Sequence, residues 1–325
     1  VFMKNINSLI AAAGIAAAAL GAPQAHAQKV TYLFPAPSFL PAFGPIQVAV
    51  AKGYYRDAGI EFHGQVGKGG VDVAKQVGVG NALLGGILAD GPIIVRANGI
   101  PIKTVAVFGG KGFMQLTVRE DSGITKPADL KGRTITTISY QDTTFYALLG
   151  VLASAGLTRN DLNVQAAGPV GVWKLVAAGK AHGMAGVPDW IAAIEGTGVK
   201  LRIMPSDDYF PSMAQAIGAS DDGIANNKGL IGRFVKASLM GMKDMMDDPD
   251  AAALEFIKAV PRWKGKEAYI KRVFKYYVDL IYPGQNTLGE VNTARLAKLQ
   301  DFYLANNLVK KKVPLEDLYT NDFVK

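Results

Sequence analysis

The stretch LLGGILADGPIIVRANGIPIKTVAVF, residues 83–108, reads as strand, helix and strand in one unit. Leu83 to Leu88 and Pro101 to Phe108 are apolar, β-rich runs. Between them a helix is expected from about Pro92 to Ala97, entered through Gly91-Pro92. Working outward, the same alternation continues in both directions. Upstream lie a strand at Val30 to Phe34 (VTYLF), a helix at Pro45 to Lys52, a strand at Ile60 to Val66 and a helix near Val71. Downstream come strands at Gln115 to Arg119 and Arg133 to Ile138, a helix from Thr143 to Ala155, and a strand at Leu162 to Gln165. A helix from Val170 to Ala178, a strand at Gly183 to Val187, a helix near Trp190 and a strand at Lys200 to Met204 follow. Strands alternating with helices of about ten residues predict parallel α/β sheets. After Ser220 the pattern changes. Ile231, Phe234, Val235, Leu239, Met242 and Met246 keep helical spacing, so the C-terminal third is expected to be helical, its Met and aromatic stripes serving the core.

The N-terminus carries the compartment signal. Lys4 precedes an apolar run from Leu9 to Leu20, and Ala25-His26-Ala27 supplies a small-x-small cleavage pattern. A membrane span needs ~20 apolar residues, and Pro23, Gln24 and His26 interrupt this one. Residues 1–27 are therefore expected to be a signal peptide. Roughly 300 residues remain, enough for one large domain or two ordinary ones. The sequence contains no cysteine. That excludes thiolate catalysis, cysteine zinc sites, iron–sulfur clusters and a lipid-modified cysteine, and it points to a free protein of a Gram-negative periplasm. The net charge is +8, but only Lys310-Lys311-Lys312 and Lys271-Arg272 form tight clusters. Nucleic-acid binding calls for a concentrated basic face, and none is expected.

Glycine is abundant, 37 of 325 residues, and several glycines fall just after expected strands: Gly69-Gly70, Gly109-Gly110, Gly168 and Gly186. Loops at strand ends face the ligand crevice of open α/β sheets, which predicts a binding site there.

Three stretches carry a more specific signal. They are AVAKGYYRDAGI (Ala49–Ile60), ILADGPIIVRANGIPIKTV (Ile87–Val105) and GITKPADLKGRTIT (Gly123–Thr136). In this order they resemble the substrate-binding proteins of the nitrate, alkanesulfonate, taurine and thiamine-pyrimidine importers, the SsuA- and NMT1-like proteins. The resemblance implies a two-lobed α/β periplasmic binding protein of type II. Two crossing strands form its hinge, and the C-terminal third is helical. Lobe 1 would comprise 28–112 together with 216–325, and lobe 2 would be the inserted segment 113–215. It also implies a monomer without cofactor, one that closes on a small-molecule ligand by hinge motion and meets an inner-membrane ABC permease.

Candidate ligand-binding residues lie in the loops at strand ends. Phe39 and Leu40 follow the first strand, in a loop that lines the cleft in the family, with plain interlobe packing as the alternative. Gly69 and Gly70 let backbone N–H groups approach a ligand at a helix N-terminus, although a tight turn explains them equally. Asp90 stands where a ligand amine or ring N–H could be held, or where it simply caps a helix. Ser139, Tyr140, Asp142, Thr143 and Thr144 open the helix of the second lobe, with capping by Asp142 or Thr143 as the alternative. Asp189 and Trp190 offer an acceptor and a flat surface; a structural tryptophan is the competing reading.

Catalytic patterns are missing. After cleavage only His63 and His182 remain, with no HExxH, no G-x-S-x-G and no phosphate loop. The acidic pairs Asp207-Asp208, Asp221-Asp222 and Asp247-Asp248 fall in turns or at helix starts, where capping accounts for them. The chain is thus expected not to be an enzyme; the related fungal pyrimidine-precursor synthase relies on a cysteine-rich motif that this sequence lacks. The candidate loops contain no arginine but do contain Phe39, Tyr140, Trp190, Asp90 and Asp189. That mix favours a flat ring ligand with hydrogen-bond donors, such as a pyrimidine. Helix N-termini keep sulfonate, nitrate and aromatic acid anions as alternatives, and a ligand-sensing partner of a membrane receptor is a further one.

Overall fold

In the computed structural model, which describes residues 27–140 and 142–324, the strands form two five-stranded sheets. The first contains β1 (Gln28–Phe34), β2 (Ile60–Val66), β3 (Leu84–Leu88), β4 (Ile102–Val107) and the returning β10 (Gln215–Ser220). The second contains β5 (Gln115–Arg119), β6 (Thr134–Thr137), β7 (Asn163–Ala166), β8 (Gly183–Gly186) and β9 (Leu201–Pro205). Their orders are β2-β1-β3-β10-β4 and β7-β6-β8-β5-β9, the same pattern twice. Each sheet is the floor of one lobe.

The expected parallel sheets prove to be mixed. β2-β1-β3 and β7-β6-β8 are parallel, joined through helices. β10 runs antiparallel to β3 and β4, and β5 antiparallel to β8 and β9. The cause is connectivity. A strand returned by a helical crossover arrives parallel to its predecessor, whereas β5 and β10 each enter from the other lobe and insert from the opposite end.

Two segments carry the chain between lobes, residues 108–114 and 206–214. They are bonded to each other, Phe108 N to Gln215 O at 2.7 Å and Phe113 N to Met213 O at 3.1 Å. Arg295, in the helix Thr293–Ala305, clamps both. Its Nε donates to Ser212 O at 2.7 Å and its Nη1 to Gly110 O at 2.6 Å, while Nη2 pairs with Asp207. Asp207 also accepts from Gly112 N at 2.6 Å. Capping therefore does not account for Asp207; it is part of the hinge.

The C-terminal helices follow the periodicity seen in the sequence. In Asp221–Asp247, started by Ser220 accepting from Gly223 N at 3.0 Å, the stripe Ile231, Phe234, Val235, Leu239 and Met242 is buried. This helix crosses Gly44–Ala51 at Gly241, where a Cβ would lie 2.1 Å from Pro45 O. A further helix, Glu267–Leu280, packs on Pro249–Ala259 of the first lobe and on Pro188–Glu195 of the second. It spans the gap between lobes.

The expected signal peptide, residues 1–27, lies outside the described residues apart from Ala27. Among the described residues no helix is long and apolar enough to cross a membrane.

Candidate functional site

A cavity of about 150 Å³ lies between the lobes. Loops leaving the carboxyl ends of β1, β2, β3, β6 and β8 build it, as open α/β sheets require. The first lobe contributes Pro35, Ala36, Leu40, Ala42, Phe43, Gly69, Gly70, Ile87, Leu88 and Gln215. Ile138, Asp142, Thr143, Thr144, Val187, Asp189 and Trp190 face them from the second lobe, with Phe113 from the crossing segment. Most of this wall is apolar, with a few polar groups set into it, the usual makeup of a small-molecule site.

Of the residues singled out in the sequence, Leu40, Gly69, Gly70, Asp142, Thr143, Thr144, Asp189 and Trp190 come together on the cavity wall. Gly69 has φ +101°, a conformation that side-chain-bearing residues avoid, and it turns the chain into the helix Gly70–Gly78. Asp142 caps the helix Thr143–Ser154. Its Oδ1 accepts from Thr144 N at 2.9 Å and pairs with the Thr144 hydroxyl. Oδ2 has no hydrogen-bond partner among the described residues. Burial raises the Asp142 pKa.

Four candidates are placed otherwise. Phe39 is not on the wall: the Arg262 guanidinium covers its ring at 3.6 Å and Trp263 Nε1 donates to its carbonyl at 2.7 Å. Tyr140 donates to Val164 O at 2.9 Å, and its ring lies under Arg159, 4.3 Å from the centroid. Ser139 precedes the cap without lining the cavity. Asp90 makes no side-chain cap on the helix Gly91–Arg96. It turns instead to the Tyr303 hydroxyl, which donates to its Oδ2. Its Oδ1 has no partner, though the residue is only 2% exposed. Burial lifts the Asp90 pKa to about 6, with the charge of Asp142 adding to the rise.

Asp189 is fully engaged. Its Oδ1 accepts from Ala42 N at 3.1 Å, its Oδ2 from the Tyr277 hydroxyl at 2.8 Å, and its carbonyl from the Tyr269 hydroxyl at 3.0 Å. It ties the lobes together, and burial raises its pKa to about 6. Sequence reading missed Phe113 and Gln215, which lie on or beside the crossing segments, where no local pattern marks them. Ile87, Leu88, Ile138 and Val187 were read only as strand residues.

The electrostatics of the wall are one-sided. Among the described residues no lysine or arginine lines the cavity. Of the wall carboxylates, Asp142 caps one helix and Asp189 lies in the first turn of another. A helix N-terminus favours an anion, and here that place is held by the chain's own carboxylates.

Comparisons with known proteins agree with this architecture. A family model described as NMT1/THI5 like matches residues 40–252. A riboflavin-binding protein, RibY, of Chloroflexus aurantiacus is 26% identical, the match covering 95% of this chain and 91% of that protein. The periplasmic aliphatic sulphonate binding protein SsuA of Escherichia coli superposes with a TM-score of 0.69 at 18% identity, over 90% of this chain and 91% of its own. The desulfurization enzyme DSZB, solved as a point mutant in complex with biphenyl-2-sulfinic acid, superposes with a TM-score of 0.59 at 17% identity, over 92% of this chain and 98% of its own. At such identities the structural likenesses establish the fold alone.

Proposed function

The chain belongs to the NMT1/THI5-like family, and from that premise we propose that it is the periplasmic solute-binding component of an ABC-type importer, with a flat, nitrogen-containing ring compound as its ligand. One observation carries the ligand class: an apolar interlobe cavity bearing Trp190 and Asp142, with no cationic side chain among the described residues of its wall. An aromatic ring matches the apolar walls and the indole, and its N–H groups match the unpartnered Asp142 oxygen. The riboflavin-binding relative supports this reading, since an isoalloxazine is such a ring. Sulfonate and nitrate fit less well, because they want donors and positive charge where this wall offers carboxylates. A binding role rather than catalysis is supported by the riboflavin-binding relative, which matches over nearly the whole chain.

Calorimetric titration of ligand-stripped protein with riboflavin, uracil, taurine and nitrate tests the proposal. Saturable binding of a ring compound with a negative heat-capacity change, the mark of apolar burial, supports it. Binding of taurine or nitrate alone would overturn the ligand class and leave the importer role standing.

A further inference from the structure

We infer that Asp142, backed by Asp90 of the opposite lobe, is the specificity-determining group of the cleft and selects a ligand whose ring edge carries positive charge; this rests on the ring-binding reading above. The argument is a charge balance across the closing lobes. Asp142 opens a helix of the second lobe, lines the cavity and keeps Oδ2 without a partner among the described residues. Asp90 follows β3 of the first lobe, is 2% exposed, and leaves Oδ1 unpartnered. Tyr303, whose hydroxyl donates to Asp90, packs against Tyr146, one turn beyond Asp142 in the same helix, so a single ring pair links the two acids, and the charge of Asp142 adds to the rise in the Asp90 pKa. Both also act on the half-buried hydroxyl of Tyr146, whose ring packs edge-on to Tyr303 at 5.8 Å.

Bringing two carboxylates together in a water-poor site is unfavourable unless one takes a proton or positive charge joins them, and near neutrality Asp90, raised to about 6, has largely lost its proton. Among the described residues none is supplied: no lysine or arginine lines the cavity, and neither acid has an ion-pair partner. Asp189 cannot serve instead, since both of its oxygens are taken by Ala42 and Tyr277. A protonated amine or amidine on a flat ring supplies the missing charge, places its N–H donors on Asp142 Oδ2 and lets its ring lie along Trp190. An anionic ring would bring a third negative charge to the same place.

Three isosteric probes isolate charge from shape: benzamidinium, benzamide and benzoate, measured by ligand-detected NMR titration on ligand-stripped protein. Benzamidinium should bind about tenfold tighter than benzamide, a charge-assisted hydrogen bond being worth at least that factor, with benzoate weakest. Asn caps helices as well as Asp does, so Asp142→Asn should fold normally and bind benzamidinium and benzamide alike. Asp90→Asn, which does not touch the probe, should reduce the preference without erasing it. Equal binding of the three probes, or a preference that survives in Asp142→Asn, overturns the inference while ring binding stands. Binding of none of them is a failure of the ring reading itself.

Discussion

Tyr277 of the first lobe donates a hydrogen bond of 2.8 Å to Oδ2 of Asp189 in the second, and both residues are buried. The bond belongs to a brace. Tyr269 donates to Asp189 O at 3.0 Å and Tyr276 to Glu195 Oε1 at 2.7 Å, so one face of the helix Glu267–Leu280 grips the helix Pro188–Glu195. The lobes are therefore held at two places, by this brace and by the Arg295 clamp on the crossing segments.

Removing the Tyr277 hydroxyl leaves Asp189 Oδ2 buried without a donor. Tyr277→Phe should destabilise the protein by about 1–3 kcal/mol, the cost of an unsatisfied buried polar group. Tyr276→Phe should cost less, because Tyr276 and Glu195 are only partly buried. Urea denaturation of the two variants, compared by midpoint at constant slope, checks the order.

Asp90 and Asp189 give the protein a pH signature. Burial lifts both to about 6 from an ordinary 3.8, so the folded state holds their protons at pH values where the unfolded chain has released them. The unfolded state then binds fewer protons between about pH 4 and pH 6, and stability falls as pH rises through that window. Each acid accounts for up to about 3 kcal/mol of that fall. Asp121, Asp129, Asp161 and Glu267, held low by hydrogen bonds, act in the opposite sense, and their contribution is lost only in more acidic solution. Denaturation midpoints taken across the window should decline towards neutrality, and Asp189→Asn should flatten the decline.

Much of this was legible in the sequence, and the reasons differ from place to place. The stripe from Ile231 to Met242 was readable because burial on one face imposes a period, and local sequence records it. The direction of β10 was not, since it depends on which lobe the chain returns from. Asp142 was legible as a cap because its partner Thr144 is two residues away. The partners of Asp90 and Asp189 were not, for Tyr303 lies 213 residues from the one and Tyr277 lies 88 from the other. Phe39 and Tyr140 sit in loops that border the cleft, yet Arg262 and Arg159 cover their rings, a contact that no local pattern announces.

Gly241 fixes a close helix crossing, since a methyl group there would strike Pro45 O. Gly241→Ala should cost about 1–3 kcal/mol through overpacking. Gly229 lies on the same helix, is exposed, and has its nearest neighbour, Arg233 Nη1, at 3.8 Å. Gly229→Ala should instead stabilise by about 0.5–1 kcal/mol through helix propensity. Thermal unfolding of the pair separates steric clash from propensity.

The Arg295 clamp should govern how firmly the two crossing segments are held. Lysine lacks the planar fork that reaches two carbonyls and a carboxylate at once, so Arg295→Lys should lose most of the effect. Hydrogen exchange of residues 108–114 and 206–214 should accelerate in the variant while β1 keeps its protection. Unchanged protection of both segments would show that backbone pairing alone holds the hinge.

The central claim is that the interlobe cavity takes a flat ring against Trp190. The most direct measurement is the shift in thermal midpoint produced by riboflavin, uracil, taurine and nitrate on ligand-stripped protein, wild type beside Trp190→Ala. A ligand at a hundred times its dissociation constant adds ~2.7 kcal/mol to the folded state. The account predicts that a ring compound raises the wild-type midpoint by a few degrees, and that Trp190→Ala loses the shift. A shift from taurine or nitrate alone, or a ring-induced shift that persists in Trp190→Ala, would contradict it.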